Sequence, residues 1–268
     1  MNNNLHSFRH RLAFVVVMFC LITGGGLRWA AAGELNKVPS RPDVKTTVFW
    51  QATPDASATL FIFPGGGGGF GQVEDGWPTS NNFLVRTSKL WAKEKFNLAI
   101  FGRPNDSDDL SYDDRISETH IQDVQAVLAW VKIQSAAPIW VVGTSRGTVS
   151  AAATLIRVSD SQIAGGVFTS SVVEHKYAGA LPRQDLGKIK IPVLVYHHEK
   201  DACHVCRPYE VPSILSGLKN SPIKKLMMVS GGANPAGNPC AGQHWHGFIG
   251  MEQEAVSSIS SWIRDPKI

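Results

Sequence analysis

A serine lies in the turn Gly143–Gly147, whose sequence Gly-Thr-Ser-Arg-Gly places a glycine two residues away on each side. Residues 138–142 before it are apolar and predict a buried strand, and residues 146–158 after it are rich in alanine and predict a helix. A sharp strand-to-helix turn exposes a serine hydroxyl, and flanking glycines let strand and helix approach without a Cβ clash. This context predicts Ser145 as a nucleophile for acyl transfer; the alternative is a structural turn with an inert serine.

Five successive glycines, Gly65–Gly69, follow an apolar segment that ends in Pro64. Acyl transfer needs two N–H donors aimed at the developing oxyanion, and glycines expose backbone N–H groups. By analogy with the His-Gly-Gly-Gly loops of esterases, where Pro64 replaces the histidine, one donor is expected from Gly66, or else Gly67. The other is expected from the N–H of Arg146. A flexible turn is the main alternative, because no Gly-Lys-Ser/Thr follows as in a phosphate-binding loop.

An acid and a base occur downstream in the order that such a turn requires, serine first, then acid, then histidine. Asp201 follows the apolar segment 193–197, and a carboxylate there would orient an imidazole. His246 lies in a loop before the final predicted helix and is the expected general base. Glu199 and His244 are the alternative acid and base.

Three cysteines lie close in sequence to this acid and base. A bridge between Cys203 and Cys240 would tie the acid loop to the base loop across 37 positions. Cys203 and Cys206 also form a C-x-x-C, which could be a redox pair, and these cysteines with His244 could bind zinc. The bridge is the preferred interpretation, and neither a metal nor a cofactor is predicted.

Apolar β-branched segments alternate with amphipathic ones, which predicts a doubly wound, mostly parallel sheet in an α/β fold, with helices on both faces. Functional groups then belong at the carboxyl ends of the strands. Residues 170–190 could form a small lid but are too few for a large cap domain. The predicted strands are 46–50, 59–63, 97–101, 139–142, 167–169, 193–197 and 225–229, and the predicted helices are 115–134, 146–158 and 251–263.

The amino-terminal residues read as a signal peptide, 1–32, followed by a single domain, 33–268. Arg9 and Arg11 precede the apolar run 12–22, and three alanines at 30–32 form a cleavage pattern. An uncleaved anchor is the alternative. Removal of residues 1–32 takes away three arginines and no acidic residue, so the net charge falls from +4 to +1. We therefore expect an exported protein, periplasmic or secreted, with no nucleic-acid partner and no stable membrane association.

Two segments resemble an exported bacterial family of α/β-hydrolases. The matching residues are the His-x-x-Asp-x-Cys of 198–203 and the Cys…His-Gly-Phe-x-Gly of 240–250, and the resemblance spans roughly residue 59 to the carboxyl terminus. It implies the α/β-hydrolase fold and a triad of Ser145, Asp201 and His246, while Cys206 has no counterpart in the pattern.

The expected function is a serine hydrolase of carboxylic esters that acts through an acyl-enzyme on a small-molecule substrate. An amide or thioester hydrolase with the same triad, or a non-catalytic binding protein on this scaffold, are the alternatives.

Overall fold

The computed structural model describes residues 32–268. Its strands are β1 Glu34–Arg41, β2 Val44–Gln51, β3 Ala58–Phe63, β4 Val73–Glu74, β5 Trp77–Pro78, β6 Phe96–Pro104, β7 Ile139–Thr144, β8 Ile163–Thr169, β9 Val193–His198 and β10 Lys224–Val229. Its α-helices are α1 Phe83–Arg86, α2 Ser88–Lys93, α3 Glu118–Gln134, α4 Gly147–Arg157, α5 Pro212–Gly217 and α6 Glu252–Arg264.

Eight strands form one sheet in the order β1-β2-β6-β3-β7-β8-β9-β10. Strands β6, β3, β7, β8, β9 and β10 pair in parallel, whereas β2 pairs antiparallel with both β1 and β6. The short strands β4 and β5 form a separate hairpin. The mostly parallel sheet predicted from the sequence is confirmed.

Each face of the sheet is covered by its own set of helices, because successive side chains of a strand point to opposite faces. In β3, Phe61 and Phe63 pack with α3, α4 and α5, while Leu60 and Ile62 pack with α1, α2 and α6. All four side chains are at most 1% exposed. Both faces of the central strands are therefore buried, which explains their uniformly apolar sequences.

Helix α3 begins three residues later than the predicted start at Arg115. The Ser117 hydroxyl accepts a hydrogen bond from the N–H of His120 at 3.0 Å, so Ser117 is the N-cap. Residues 114–116 form a 3₁₀ turn ahead of the cap. This places Arg115 outside the α-helix, pointing into the interior.

Between β8 and β9, residues 170–192 contain two single-turn 3₁₀ helices and no α-helix. The described chain therefore has no large cap domain above the carboxyl ends of the strands. None of its helices is long and apolar enough to cross a membrane. Residues 1–31 of the predicted signal peptide lie outside the described residues, so the signal peptide and its boundary stay predictions.

The end of β3 and the beginning of α4 touch through their backbones. A Cβ on Gly147 would lie 2.0 Å from the carbonyl oxygen of Phe63, and a Cβ on Gly143 would lie 2.5 Å from the carbonyl oxygen of Gly147. Neither overlap could be relieved by turning a side chain, because the opposing atoms are backbone. Gly147 is thus required for the close approach of α4 to β3, and Gly143 for the close approach of β7 to α4.

We predict that Gly147→Ala destabilises the fold by about 2–3 kcal/mol, because the added methyl group must push β3 and α4 apart. Urea unfolding of the two proteins measures the difference. Gly187→Ala is the matched control, since a Cβ there meets its nearest atom at 3.5 Å and its φ is not positive. Equal stability of Gly147→Ala and Gly187→Ala would contradict the backbone contact.

Candidate active site

Ser145 occupies the turn between β7 and α4 in a backbone conformation that side chains rarely adopt, with φ of 52°. The turn is held by its neighbours. The N–H of Ser145 donates to Thr169 O at 3.1 Å, and Ser145 O accepts from the N–H and the hydroxyl of Thr148 at 2.9 and 2.7 Å. These hydrogen bonds hold Ser145 in its strained backbone conformation. Its side chain is partly exposed and lies at the carboxyl end of the sheet.

The loop after β9 and the 3₁₀ turn Trp245–Gly247 bring Asp201 and His246 together. His246 Nδ1 and Asp201 Oδ2 are 2.8 Å apart, and each residue is only 4% exposed. The N–H of Cys203 donates to the other carboxylate oxygen at 2.9 Å. The alternatives are not so placed: Glu199 is exposed, and the ring of His244 makes no contact with Asp201 among the described residues.

One nitrogen of this imidazole has no partner, and the residue lines a small cavity. His246 Nε2 is buried and has no hydrogen-bond partner in the described part of the chain. His246 lines a cavity of about 30 Å³, far smaller than a typical ligand pocket. The lining residues come from the glycine loop, the start of α1, the serine turn and the base loop: Gly66, Asn82, Phe83, Thr144, Ser145, Cys240, Gly242, His246 and Gly247.

The backbone N–H groups of Gly66 and Arg146, both near Ser145, donate to no acceptor among residues 32–268. Gly66 has φ of 57°, and a Cβ added to it would meet no atom within 4 Å, so its backbone faces open space. A Cβ on Gly65 would lie 2.9 Å from Ser145 Cβ, which places the glycine loop against the serine. Gly67 does not line the cavity and lies instead against Asp109.

A buried arginine donates hydrogen bonds to carbonyl groups of the glycine loop. Arg115 is 1% exposed, and its Nη2 donates to Gly66 O at 3.0 Å and to Pro64 O at 3.4 Å. Its other hydrogen bonds go to Leu110 O at 3.1 Å and Ser150 Oγ at 2.9 Å. Burial lowers the pKa of Arg115 to about 9, and the nearby charge of Arg146 acts in the same direction. Sequence reasoning missed this role, since it treated Arg115 only as the first residue of a predicted helix.

A second histidine also touches the carboxylate, and sequence reasoning missed it too. His197 Nε2 lies 2.9 Å from Cys206 O and 3.4 Å from Asp201 Oδ2, and its side chain is fully buried. Burial lowers the pKa of His197 to about 4, so the ring is neutral at physiological pH. A neutral Nε2–H can donate to both oxygens, which fixes the Asp201 carboxylate without neutralising its charge.

The disulfide joins Cys203 to Cys240 and so ties the loop that carries Asp201 to the loop that leads to His246. This bridge disfavours a zinc site, because disulfide sulfurs are not thiolate ligands. Cys206 is a buried free thiol. Its Sγ, the Sγ of Cys203 and a ring nitrogen of His246 all lie within 4.8 Å of one another. Burial and the charge of Asp201 raise the pKa of Cys206, while a hydrogen bond with Ser145 opposes that rise.

No protein-family model matches the chain, and no curated protein matches it. Solved structures do. An esterase from Pyrococcus furiosus superposes with a TM-score of 0.61 at 15% identity, covering 87% of this chain and 90% of that one. A cold-adapted esterase from an Arctic intertidal metagenomic library gives a TM-score of 0.58 at 15% identity, covering 85% and 92%.

An α/β serine hydrolase from Xanthomonas campestris, described as lacking a lid, gives a TM-score of 0.57 at 14% identity, covering 86% of this chain and 96% of that one. At such low identities the likeness shows the fold alone. Together with the strand order and the two helical layers, it establishes that the chain has the α/β-hydrolase fold.

We predict that Cys206, the one free thiol among residues 32–268, does not react in the native protein. Buried and protonated, Cys206 should resist iodoacetamide at pH 8 and react only after unfolding. Peptide mapping of the labelled, unreduced protein measures this, and Cys206→Ser, which should show no label, is the control. Rapid labelling of native Cys206, or a disulfide-linked Cys203–Cys206 peptide, would contradict the assignment.

Reduction of the Cys203–Cys240 bridge should lower the free energy of unfolding by about 3–4 kcal/mol in the chain-entropy model.

Proposed function

We propose that the protein is a serine hydrolase of carboxylic esters whose nucleophile is Ser145, whose base is His246 and whose acid is Asp201. The observation that carries the proposal is the buried contact of 2.8 Å between His246 Nδ1 and Asp201 Oδ2, in a histidine whose Nε2 is free and which lines the same cavity as Ser145. A buried imidazole held by a carboxylate through Nδ1 presents Nε2 as a base to the group beside it.

The chemistry begins with the Ser145 hydroxyl turning from Cys206 toward His246. Oγ attacks the ester carbonyl while His246 Nε2 takes the hydroxyl proton, and Asp201 stabilises the imidazolium that forms. The N–H groups of Gly66 and Arg146 hold the negative oxygen of the tetrahedral intermediate. When the carbon–oxygen bond to the alcohol breaks, His246 returns the proton to the leaving oxygen and an acyl-enzyme remains. Water, deprotonated by His246, then attacks the carbonyl of the acyl-enzyme and releases the carboxylic acid from Ser145.

The positive charge of Arg115 adds to this arrangement without touching the reacting atoms. Its hydrogen bonds to Pro64 O and Gly66 O hold the carbonyl groups on either side of the Gly65–Gly66 peptide group. That peptide group contains the Gly66 N–H, which is the proposed donor. A donor that is already oriented needs no reorganisation as charge develops. The proposal assigns Arg115 a supporting part in the oxyanion site.

A disulfide between two catalytic loops fits an oxidising compartment, and we extend the proposal to an exported enzyme on that ground. Expression of the full chain followed by amino-terminal sequencing of the mature product tests the cleavage site expected near Ala32. Recovery of an uncleaved chain in the membrane fraction would favour the anchor instead.

We predict that Ser145→Ala abolishes hydrolysis of p-nitrophenyl acetate and labelling by a fluorophosphonate, because the substitution removes the oxygen that forms the acyl-enzyme. Circular dichroism should show an unchanged fold. Ser213→Ala, which removes an exposed hydroxyl bound to Glu210 O, is the matched control and should keep both activities.

Retained activity in Ser145→Ala would exclude this nucleophile. A folded wild-type protein that neither hydrolyses esters nor takes the label would favour a binding protein on the scaffold. Faster turnover of thioester or aminoacyl-amide substrates than of esters would reassign the scissile bond.

A second prediction concerns the acid. Asp201→Asn should lower kcat by about 10⁴-fold, because an amide in that position favours the wrong imidazole tautomer. Glu199→Gln is the matched control and should change kcat by less than about threefold, since Glu199 is exposed. Steady-state kinetics at pH 8 compares them, and a reversed ranking of the two variants would move the acid to Glu199.

A further inference from the structure

A side-chain amide lies beside the expected oxyanion site, and sequence reasoning did not single it out. Asn82 lines the same cavity as Gly66 and Ser145. Its Nδ2 is 3.2 Å from the position a Cβ would take on Gly65, and that position is 2.9 Å from Ser145 Cβ. The amide nitrogen therefore faces the junction between the glycine loop and the serine turn.

The orientation of this amide follows from its other contacts. Asn82 is the N-cap of α1, and its Oδ1 accepts a hydrogen bond from the N–H of Leu84 at 3.2 Å. An amide oxygen committed to the cap leaves the two N–H bonds of Nδ2 as donors. No acceptor for Nδ2 occurs in residues 32–268, so the donor is available to a bound substrate.

The backbone around Asn82 is tied to the base loop, which limits movement of the amide. Asn82 O accepts from the N–H groups of Val85 at 3.0 Å and Arg86 at 2.8 Å. The Arg86 guanidinium in turn donates to Asn81 O at 3.0 Å and to Gly247 O at 2.5 Å, and pairs with Glu252 at 2.9 Å. The start of α1 is thus fixed relative to His246.

We propose that Asn82 Nδ2 is a third hydrogen-bond donor to the tetrahedral oxyanion, beside the N–H groups of Gly66 and Arg146. This inference deepens the proposed function and depends on it. The contact is a hydrogen bond only, so no proton or electron pair moves through Asn82. The carbonyl oxygen gains its full charge only in the tetrahedral state, so this donor stabilises that state more than the bound ester.

Two variants separate this catalytic role from the capping role. Asn82→Ser keeps a good N-cap acceptor but cannot donate from the position of Nδ2. Asn82→Asp keeps the shape and the cap and replaces the donor by a negative oxygen. Asn81→Ser is the matched control, because Asn81 is exposed and does not line the cavity.

We expect kcat on p-nitrophenyl acetate to fall about 10–100-fold in Asn82→Ser and further in Asn82→Asp, with KM changed less than about threefold. The inhibition constant of an alkyl trifluoromethyl ketone, which forms an anionic tetrahedral adduct with a serine, should rise in parallel with the loss of kcat/KM. A purely structural role would lower the melting temperature without producing that correlation.

Folded Asn82→Ser or Asn82→Asp with kcat/KM within threefold of the wild type would overturn the inference. If Asn82→Asp does not fold, Asn82→Ser decides the outcome alone. A wild-type protein that takes a fluorophosphonate label and hydrolyses the ester, with unaffected Asn82 variants, would remove only the role of Asn82. A wild-type protein inactive in both assays would remove the proposed function as well.

Discussion

The whole arrangement depends on the backbone contact between the carboxyl end of β3 and the amino end of α4. A Cβ on Gly147 would lie only 2.0 Å from the carbonyl oxygen of Phe63. Any side chain at position 147 would therefore push the two elements apart. That contact sets how far the glycine loop lies from Ser145, and hence whether the N–H of Gly66 and the N–H of Arg146 can reach one oxygen. A displacement of about 1 Å is costly in catalysis, so a packing constraint of the fold becomes a constraint on chemistry.

Buried charge of both signs surrounds the serine. Asp201 lies next to two imidazoles, those of His197 and His246, and burial holds the pKa of His197 at about 4. Arg115 keeps its positive charge against carbonyl groups of the glycine loop. Removing such charges from water without full pairing costs folding free energy, as is common where catalysis requires a preset field. The two apolar clusters buried between the sheet and its helical layers oppose this cost.

The central strands and the long helices were predictable because their apolar periodicity is strong, as in β3 and β7. The edge strand β1 was not predicted, since five of its eight residues are polar or charged and it contains Pro39. The short helices α1, α2 and α5 are held by packing against the sheet rather than by their own periodicity, so sequence pattern misses them. These misses matter for the site, because α1 carries Asn82.

At the site itself, local motifs identified Ser145, Asp201 and His246 as candidates, and the structure places them at one end of the sheet. Contacts made across the fold had no local signal. Arg115 is 49 positions from Gly66 in sequence, and its hydrogen bond to that carbonyl depends on the turn ahead of α3. Pairing of cysteines was similarly open in sequence, since three cysteines allow three bridges.

The bridge between Cys203 and Cys240 has a consequence for when, during its biogenesis, such an enzyme would begin to work. The two residues that must meet, Asp201 and His246, lie on either side of this crosslink in sequence. Before oxidation the base loop is held to the acid loop by noncovalent contacts alone. In a newly made, reduced chain, Ser145 would already be held by the turn between β7 and α4. His246 would be less well ordered. Under the proposed function and export, oxidation of this bridge would be the step that orders the base, after the chain enters an oxidising compartment.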